Sequence, residues 1–279
     1  MRKYIFYIFF IVIGITANIT TIKLLLLGQK ELFHFRSTGS KYAFATVTTP
    51  AFCMGAVALG HSIQKYHGDS IDRICLVSHD VNSTWREILS QWWKVYEMPE
   101  IKPTKTHRRS WIKIQLWRFT QYSKILYFDT DTLLLDSVEE LFKEKQLSCV
   151  NDVNPTYYCN TGVLVLEPSI TIYRDMIEKM RNQLFLHSLG DQPFINAYFK
   201  TFNPLHPKYN ALRLDTSSFL EFYNDGKLKI VHFVCKKPWK CGRSGVSYCG
   251  CGVPKLNEVW YQYFDEACKN HTCIESWKE

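Results

Sequence analysis

The chain of 279 residues carries 34 Lys and Arg against 26 Asp and Glu, a formal net charge of +8, with 46% hydrophobic and 15% aromatic residues. That apolar content excludes a disordered chain and provides for a large core, with room for one α/β domain and an N-terminal anchor. The moderate basic excess suits an anionic ligand or a membrane surface. It argues against nucleic acid, since no helix carries a basic stripe and no zinc-finger or stacking-platform motif appears.

Arg2 and Lys3 precede an uncharged, mostly apolar run from Tyr4 to Ala17, and a second run, Leu24 to Leu27, follows Lys23. Apolar character that resumes beyond Ala17, with positive charge on its N-terminal side, predicts an uncleaved signal-anchor over residues 1–27 and a lumenal body. A signal peptide cut after Ala17, releasing a secreted protein, is the alternative. Either way the body enters the secretory pathway, behind a stem over residues 28–41.

Tyr42 to Val47 reads as the first strand, and Thr48, Thr49 and Pro50 turn it into a helix that carries Phe52, Leu59 and Ile63 towards a sheet. Asp72 to Ser78 supplies a second strand. Ser83 or Thr84 then caps a helix in which Trp85, Ile88, Leu89 and Trp92 recur at helical spacing. This β-α-β-α order opens a doubly wound α/β sheet. The basic cluster Lys105, His107, Arg108 and Arg109 reads as a solvated loop. A third helix, near Ser110 to Gln121, leads into the stretch around which the chain is organised.

That stretch is Lys124-Ile-Leu-Tyr-Phe-Asp129-Thr-Asp131-Thr. Ile125 to Phe128 predict a strand buried on both faces, and two carboxylates follow where the strand runs out. Open α/β sheets bind ligands in the crevice outside the carboxyl ends of their strands. Two close aspartates repel unless a cation lies between them, and hard divalent ions favour such oxygen ligands. Asp129 and Asp131 are therefore candidate metal ligands at a phosphate-binding site.

Downstream, Ser137 to Phe142 reads as a short helix, Leu147 to Asn151 as a strand, and Asn160 to Leu166 as another buried strand ended by Pro168. Ser169 caps a helix with Tyr173, Met176, Ile177 and Met180 on its apolar face. Gly190-Asp191-Gln192 opens a helix to Phe199 and puts an acid at its N-terminus. Val231-His232-Phe233 ends a strand begun near Lys229, with Lys237-Pro238-Trp239 just beyond, and His232 is a candidate third metal ligand.

Ten cysteines are present, six of them late, at Cys235, Cys241, Cys249, Cys251, Cys268 and Cys273. Their density among Gly and charged residues predicts disulfides formed in an oxidising lumen, in any of about 15 pairings. A zinc site is the lesser alternative, since paired C-x-x-C spacing is missing. Asn82-Ser-Thr84 and Asn270-His-Thr272 are glycosylation sequons.

The chain resembles the glycogenin-like retaining glycosyltransferases, glycosyltransferase family 8. The matching segments run in the family's order: Thr48-Thr49 with Phe52 and Gly55, Lys113 to Trp117, Thr120 to Lys124, Asp129 to Thr132, Asn160 to Val163, Gly190-Asp191-Gln192, Tyr209-Asn210, His232-Phe233 and Lys237-Pro238-Trp239. The resemblance implies a Rossmann-like GT-A domain with a mixed central sheet over residues 42–240, and a Cys-rich extension over 241–279 packed on it. It implies that Asp129, Asp131 and His232 bind manganese, or else magnesium, which bridges the diphosphate of a UDP-sugar, with Lys237 adding a second positive charge. Val47, Thr48, Thr49 and Phe52 would line the uracil and ribose pocket, with Thr130 and Thr161 also binding the donor. Lys113 and Asn160 would touch the sugar's hydroxyls, and Asp191 and Gln192 would lie at its reacting carbon. A catalytic set of Asp191, Gln192 and Lys113 follows, with a glycan or glycoprotein acceptor, a Golgi or endoplasmic reticulum membrane location, and room for a homodimer.

Three positions depart from the family pattern. Ser188 stands where an aspartate is common, Cys235 stands where a glycine separates the histidine from the lysine, and the self-glucosylated tyrosine of glycogenin falls near Ser217. The last argues for transfer to a separate acceptor. Two other readings remain: a haloacid-dehalogenase-type phosphatase, in which the first aspartate is the nucleophile, and a non-catalytic lumenal protein that binds sugar or nucleotide.

Overall fold

The computed structural model describes residues 39–101, 109–182, 190–213, 225–243, 254–270 and 273. The expectations for the anchor, most of the stem, most of the basic cluster, Ser188, Ser217, Cys249 and Cys251 lie outside these residues. Among the described residues no helix is long and apolar enough to cross a membrane.

Four parallel strands form one side of the main sheet: β1 (Tyr42–Thr48), β2 (Asp72–Val77), β3 (Lys94–Glu97) and β4 (Lys124–Phe128). Parallel neighbours need crossovers, and two helices serve here, α1 (Cys53–His67) and α2 (Ser83–Ser90). The sheet then reverses: β7 (Cys159–Leu166) runs antiparallel to β4, and β6 (Ser148–Asn151) antiparallel to β7, in the order β3-β2-β1-β4-β7-β6-β8, with β8 at Asn203–Pro204. Because of that reversal, the carboxyl end of β4 and the amino end of β7 share one sheet edge, and Asp129 N–H donates to the Gly162 carbonyl at 2.7 Å.

Ile125–Phe128 and Val163–Leu166 are buried, as their unbroken apolar runs predict. β4 follows β1, β2 and β3 in the chain, whereas a phosphatase of the haloacid dehalogenase type would open with this strand.

A second, three-stranded sheet joins β5 (Thr132–Leu134), β9 (Ala211–Leu212) and β10 (Ile230–His232). β5 pairs antiparallel with β10 so that Thr132 faces His232, and Phe233 N–H donates to the Asp131 carbonyl at 2.7 Å. This pairing draws a histidine from late in the chain to the aspartates.

Several local expectations change. Asn82, not Ser83 or Thr84, caps α2, its side chain accepting from Trp85 N–H at 2.9 Å, and Trp92 lies beyond that helix. Residues Arg109–Arg118 form a 3-10 segment whose side chains from Trp111 on are all buried, so no helical period shows. Phe52 lies in a 3-10 turn ahead of α1, half-buried, with its ring against Trp239 at 5.9 Å and not on the sheet.

α3 (Ile170–Asn182) and α4 (Asp191–Phe199) fall where expected. The C-terminal stretch holds α5 (Pro254–Asn270), which buries Leu256, Trp260, Phe264 and Ala267 and docks on α1 through Tyr66–Tyr263 (2.6 Å) and Lys65–Glu266 (3.0 Å). Disulfides join Cys149 to Cys159 and Cys268 to Cys273, and Cys235 and Cys241 are disulfide-bonded too. Cys53 and Cys75 are free thiols buried in the core.

Candidate active site

The aspartate loop is a tight turn: Thr132 N–H and its hydroxyl both bond the Asp129 carbonyl, at 2.9 and 2.7 Å. Gly55 on α1 lets the helix approach it, since a Cβ there would lie 2.3 Å from the Thr130 carbonyl oxygen. Ligand atoms of Asp129, Asp131 and His232 lie within 4.8 Å of one another. Two carboxylates and one imidazole match the donor set of a divalent ion of manganese type.

His232 is aimed by its neighbours. Its Nδ1 lies 3.0 Å from Asn210 Oδ1, and Asn210 Nδ2 donates to Asn160 Oδ1 at 2.8 Å. A carbonyl oxygen at Nδ1 favours the tautomer that frees Nε2, and Nε2 lies 3.3 Å from Asp131 Oδ1. Asn160, read from the resemblance as a sugar contact, here also accepts from Gly162 N–H at 3.0 Å, so its Oδ1 belongs to the histidine's support.

Gly162 is a steric requirement, because a Cβ would lie 2.4 Å from His232 Cε1 and 2.6 Å from Nδ1. Gly162→Ala is expected to push the imidazole off its position and weaken divalent-metal binding about tenfold. Metal titration by calorimetry checks this, and unchanged affinity contradicts the placement of His232.

Asp131 is buried, and its partners are His232 and Lys237, whose ammonium also donates to the Phe233 carbonyl at 3.0 Å. Burial alone would raise its carboxyl pKa, but the adjoining His232 imidazole and Lys237 ammonium outweigh burial and hold it well below the usual carboxylate range.

Around Lys113 lies a second cluster. Its ammonium is 2.7 Å from Asp191 Oδ2, 3.1 Å from Asp129 Oδ1 and 3.0 Å from the Thr161 carbonyl, and it sits over the Tyr127 ring at 4.5 Å. Burial pulls the lysine's pKa down, yet Asp129 and Asp191 more than offset that, and it remains a cation. Tyr127 donates its hydroxyl to Asp129, and burial together with that charge pushes its pKa far up. The strand's two-residue period signals Tyr127, since it shares a face with Asp129.

Gln192, beside Asp191 on the first turn of α4, is anchored at both ends of its amide. Its Oε1 accepts from Thr161 N–H at 3.0 Å and its Nε2 donates to Asp152 Oδ2 at 2.6 Å, so it ties the first turn of α4 to β7. Asp152 carries no sequence signal beyond being an acid in a turn.

The four residues read as the nucleotide pocket cluster at the end of β1. Thr48 is buried and spends its hydroxyl on the Thr49 carbonyl at 3.3 Å, while Val47, Thr49 and Phe52 stay partly accessible. Trp239 Nε1–H donates to the Ala51 carbonyl at 2.9 Å, clasping the Lys237 loop to this turn.

Cys235 adopts φ +64°, the left-handed region that a glycine would take freely. Arg213, buried, holds the loop on both sides of it through the carbonyls of Val234 (3.1 Å) and Lys236 (2.7 Å), and also donates to Asn257 of α5. The cysteine therefore preserves the turn's shape. Arg213 and Asn257 leave no signal in the sequence, because Arg213 acts by holding backbone carbonyls and Asn257 by accepting from Arg213.

Comparisons agree with this geometry. The structure resembles that of the bifunctional glycosyltransferase WbbM, with a TM-score of 0.65 over 85% of this chain and 53% of that one, at 14% identity, which establishes a shared fold. In sequence, inositol phosphorylceramide glucuronosyltransferase 1 of Arabidopsis thaliana is 33% identical over 238 residues, covering 74% of this chain and 44% of the relative. Glycogenin-1 of Mus musculus is 31% identical over 224 residues, 71% of this chain and 65% of the relative. The chain thus spans less than two thirds of the length of these curated relatives. The model of glycosyl transferase family 8 matches residues 44–241, the stretch that holds the aspartate turn, the lysine cluster and the histidine strand alike, and the chain belongs to that family.

Proposed function

We propose that the protein is a metal-dependent retaining glycosyltransferase that moves a hexose or related sugar from a UDP-sugar to a glycan or glycoprotein in the secretory pathway. The observation that carries the reading is the convergence of Asp129, Asp131 and His232 on one point, beside the cations Lys237 and Lys113. A UDP-linked donor is supported by relatives named for UDP-glucuronate. The disulfides and the N-terminal apolar run support a type II protein of the Golgi or endoplasmic reticulum.

Manganese held by Asp129, Asp131 and His232 would supply neutralising charge for the departing diphosphate. Lys237 offers a second positive charge on the same side, as a point charge on a flexible stem. Lys113 keeps Asp191 and Asp129 in register, so that the Asp191 carboxylate is positioned to stabilise positive charge on the donor's anomeric carbon. Retention then follows from same-face attack, or from a short-lived bond to Asp191.

The test is incubation with manganese and labelled UDP-glucose, UDP-galactose, UDP-xylose and UDP-glucuronate. Sugar transfer or slow UDP release from one of them is the expected result. Binding of UDP without any product would favour the non-catalytic alternative, and no UDP binding in the presence of manganese would refute the proposal.

A further inference from the structure

We propose that the turn between β6 and β7, Asp152–Tyr158, is an acceptor-saccharide subsite in which the Tyr157 ring stacks on one face of a pyranose. The inference rests on the glycosyltransferase reading and adds to it where the acceptor lies and what recognises it.

Among the described residues, the large apolar side chains that stand exposed are Val153 and Tyr157, at 48% and 74%. Single exposed apolar residues scattered over a surface need no explanation. Here both lie on one turn, and that turn borders the candidate site: Asp152 Oδ2 receives the Gln192 amide at 2.6 Å, on the helix turn that carries Asp191. The same glutamine holds Thr161 N–H, just beyond the turn's other end.

The turn is also rigidly built. Asp152 N–H donates to the Tyr158 carbonyl at 2.7 Å, Tyr158 N–H to the Pro155 carbonyl at 3.0 Å, and Asn151 Nδ2 to the Thr156 carbonyl at 2.7 Å. The Cys149–Cys159 disulfide clamps the strands below it. Tyr158 backs Tyr157 edge-on, with ring centroids 5.1 Å apart. An exposed ring held this way loses little freedom on binding, which is how aromatic anchors contribute to recognition.

The chemistry selects the occupant. A pyranose presents a face of C–H groups with slight positive charge, complementary to the negative face of an aromatic ring. The turn carries Asp152 and no basic side chain, so an anionic lipid surface would be repelled. A neutral sugar ring suits a tyrosine flanked by valine and small polar groups.

Saturation-transfer NMR on the full chain tests this, with UDP, magnesium and the methyl β-glycosides of glucose, galactose and xylose as probes. The wild type is expected to saturate UDP and the ring C–H protons of at least one glycoside. Tyr157→Ala should lower the glycoside signal about fivefold with the UDP signal intact, while Tyr157→Phe retains both. Glycoside signals equal in Tyr157→Ala and wild type, or none beside a strong UDP signal, overturn the subsite alone. Loss of the UDP signal in the wild type overturns the enzymatic reading and this inference with it.

Discussion

Asp131→Asn is expected to weaken metal-dependent UDP binding by about 100-fold or more, above the cost of losing an outer-shell partner, because it removes a direct ligand of the proposed metal. Asparagine keeps the volume and one oxygen but loses the charge, in a place where charge dominates. Asp131 is buried between His232 and Lys237, which hold its carboxyl below the normal range, so it is fully ionised at neutral pH. The sign follows for the metal-free protein: a depressed folded-state pKa contributes stability above the unfolded carboxylate's value, and that contribution fades as pH falls below it. The variant should therefore lose much of its stability's dependence on pH in the acid range. Calorimetric titration of UDP with manganese, and again with chelator, separates the metal-dependent part. Equal UDP affinity in variant and wild type would remove Asp131 from the metal site.

What the chain discloses about itself follows from the range over which each residue acts. β4 and β7 are evident because a strand buried on both faces writes an unbroken apolar run, and their reversal of direction puts Asp129 and Asn160 on one edge. The aspartates and His232 stand out as polar groups at the ends of such runs. β3, β5, β8 and β9 escape notice because they are short and their pairing is decided by distant partners, as when Thr132 meets His232. The C-terminal stretch looks like a disulfide-stapled tail because its cysteines dominate the eye. Yet Leu256, Trp260, Phe264 and Ala267 recur at helical spacing, and α5 supplies Trp260 behind Trp239, at 5.3 Å. The supporting residues are hardest to foresee. Asn210, Asp152 and Arg213 act by orienting an imidazole, an amide and two carbonyls, and none of these tasks leaves a local pattern in sequence.

Lys113→Met is expected to abolish transfer, by about 1000-fold, and to destabilise the domain by about 3–5 kcal/mol. Methionine fills similar space, so the loss comes from charge. Lys113 is buried with Asp191 at 2.7 Å and Asp129 at 3.1 Å, and without it two carboxylates remain with no cation between them. The raised pKa of Lys113 means that this pairing stabilises the fold at all pH values below the unfolded lysine's, and is lost only as pH rises through the folded one. At neutral pH the whole effect is therefore visible. Adding Asp191→Asn to Lys113→Met removes one of the stranded charges and should recover part of the stability, as a non-additive term in a double-mutant cycle. Transfer should stay absent in the double variant, because the carboxylate that would face the anomeric carbon has gone. Urea denaturation and UDP-sugar turnover measured on Lys113→Met, on Asp191→Asn alone and on the double variant read the two effects separately. A Lys113→Met protein that transfers sugar at the wild-type rate would show that the lysine is only a buried counter-ion.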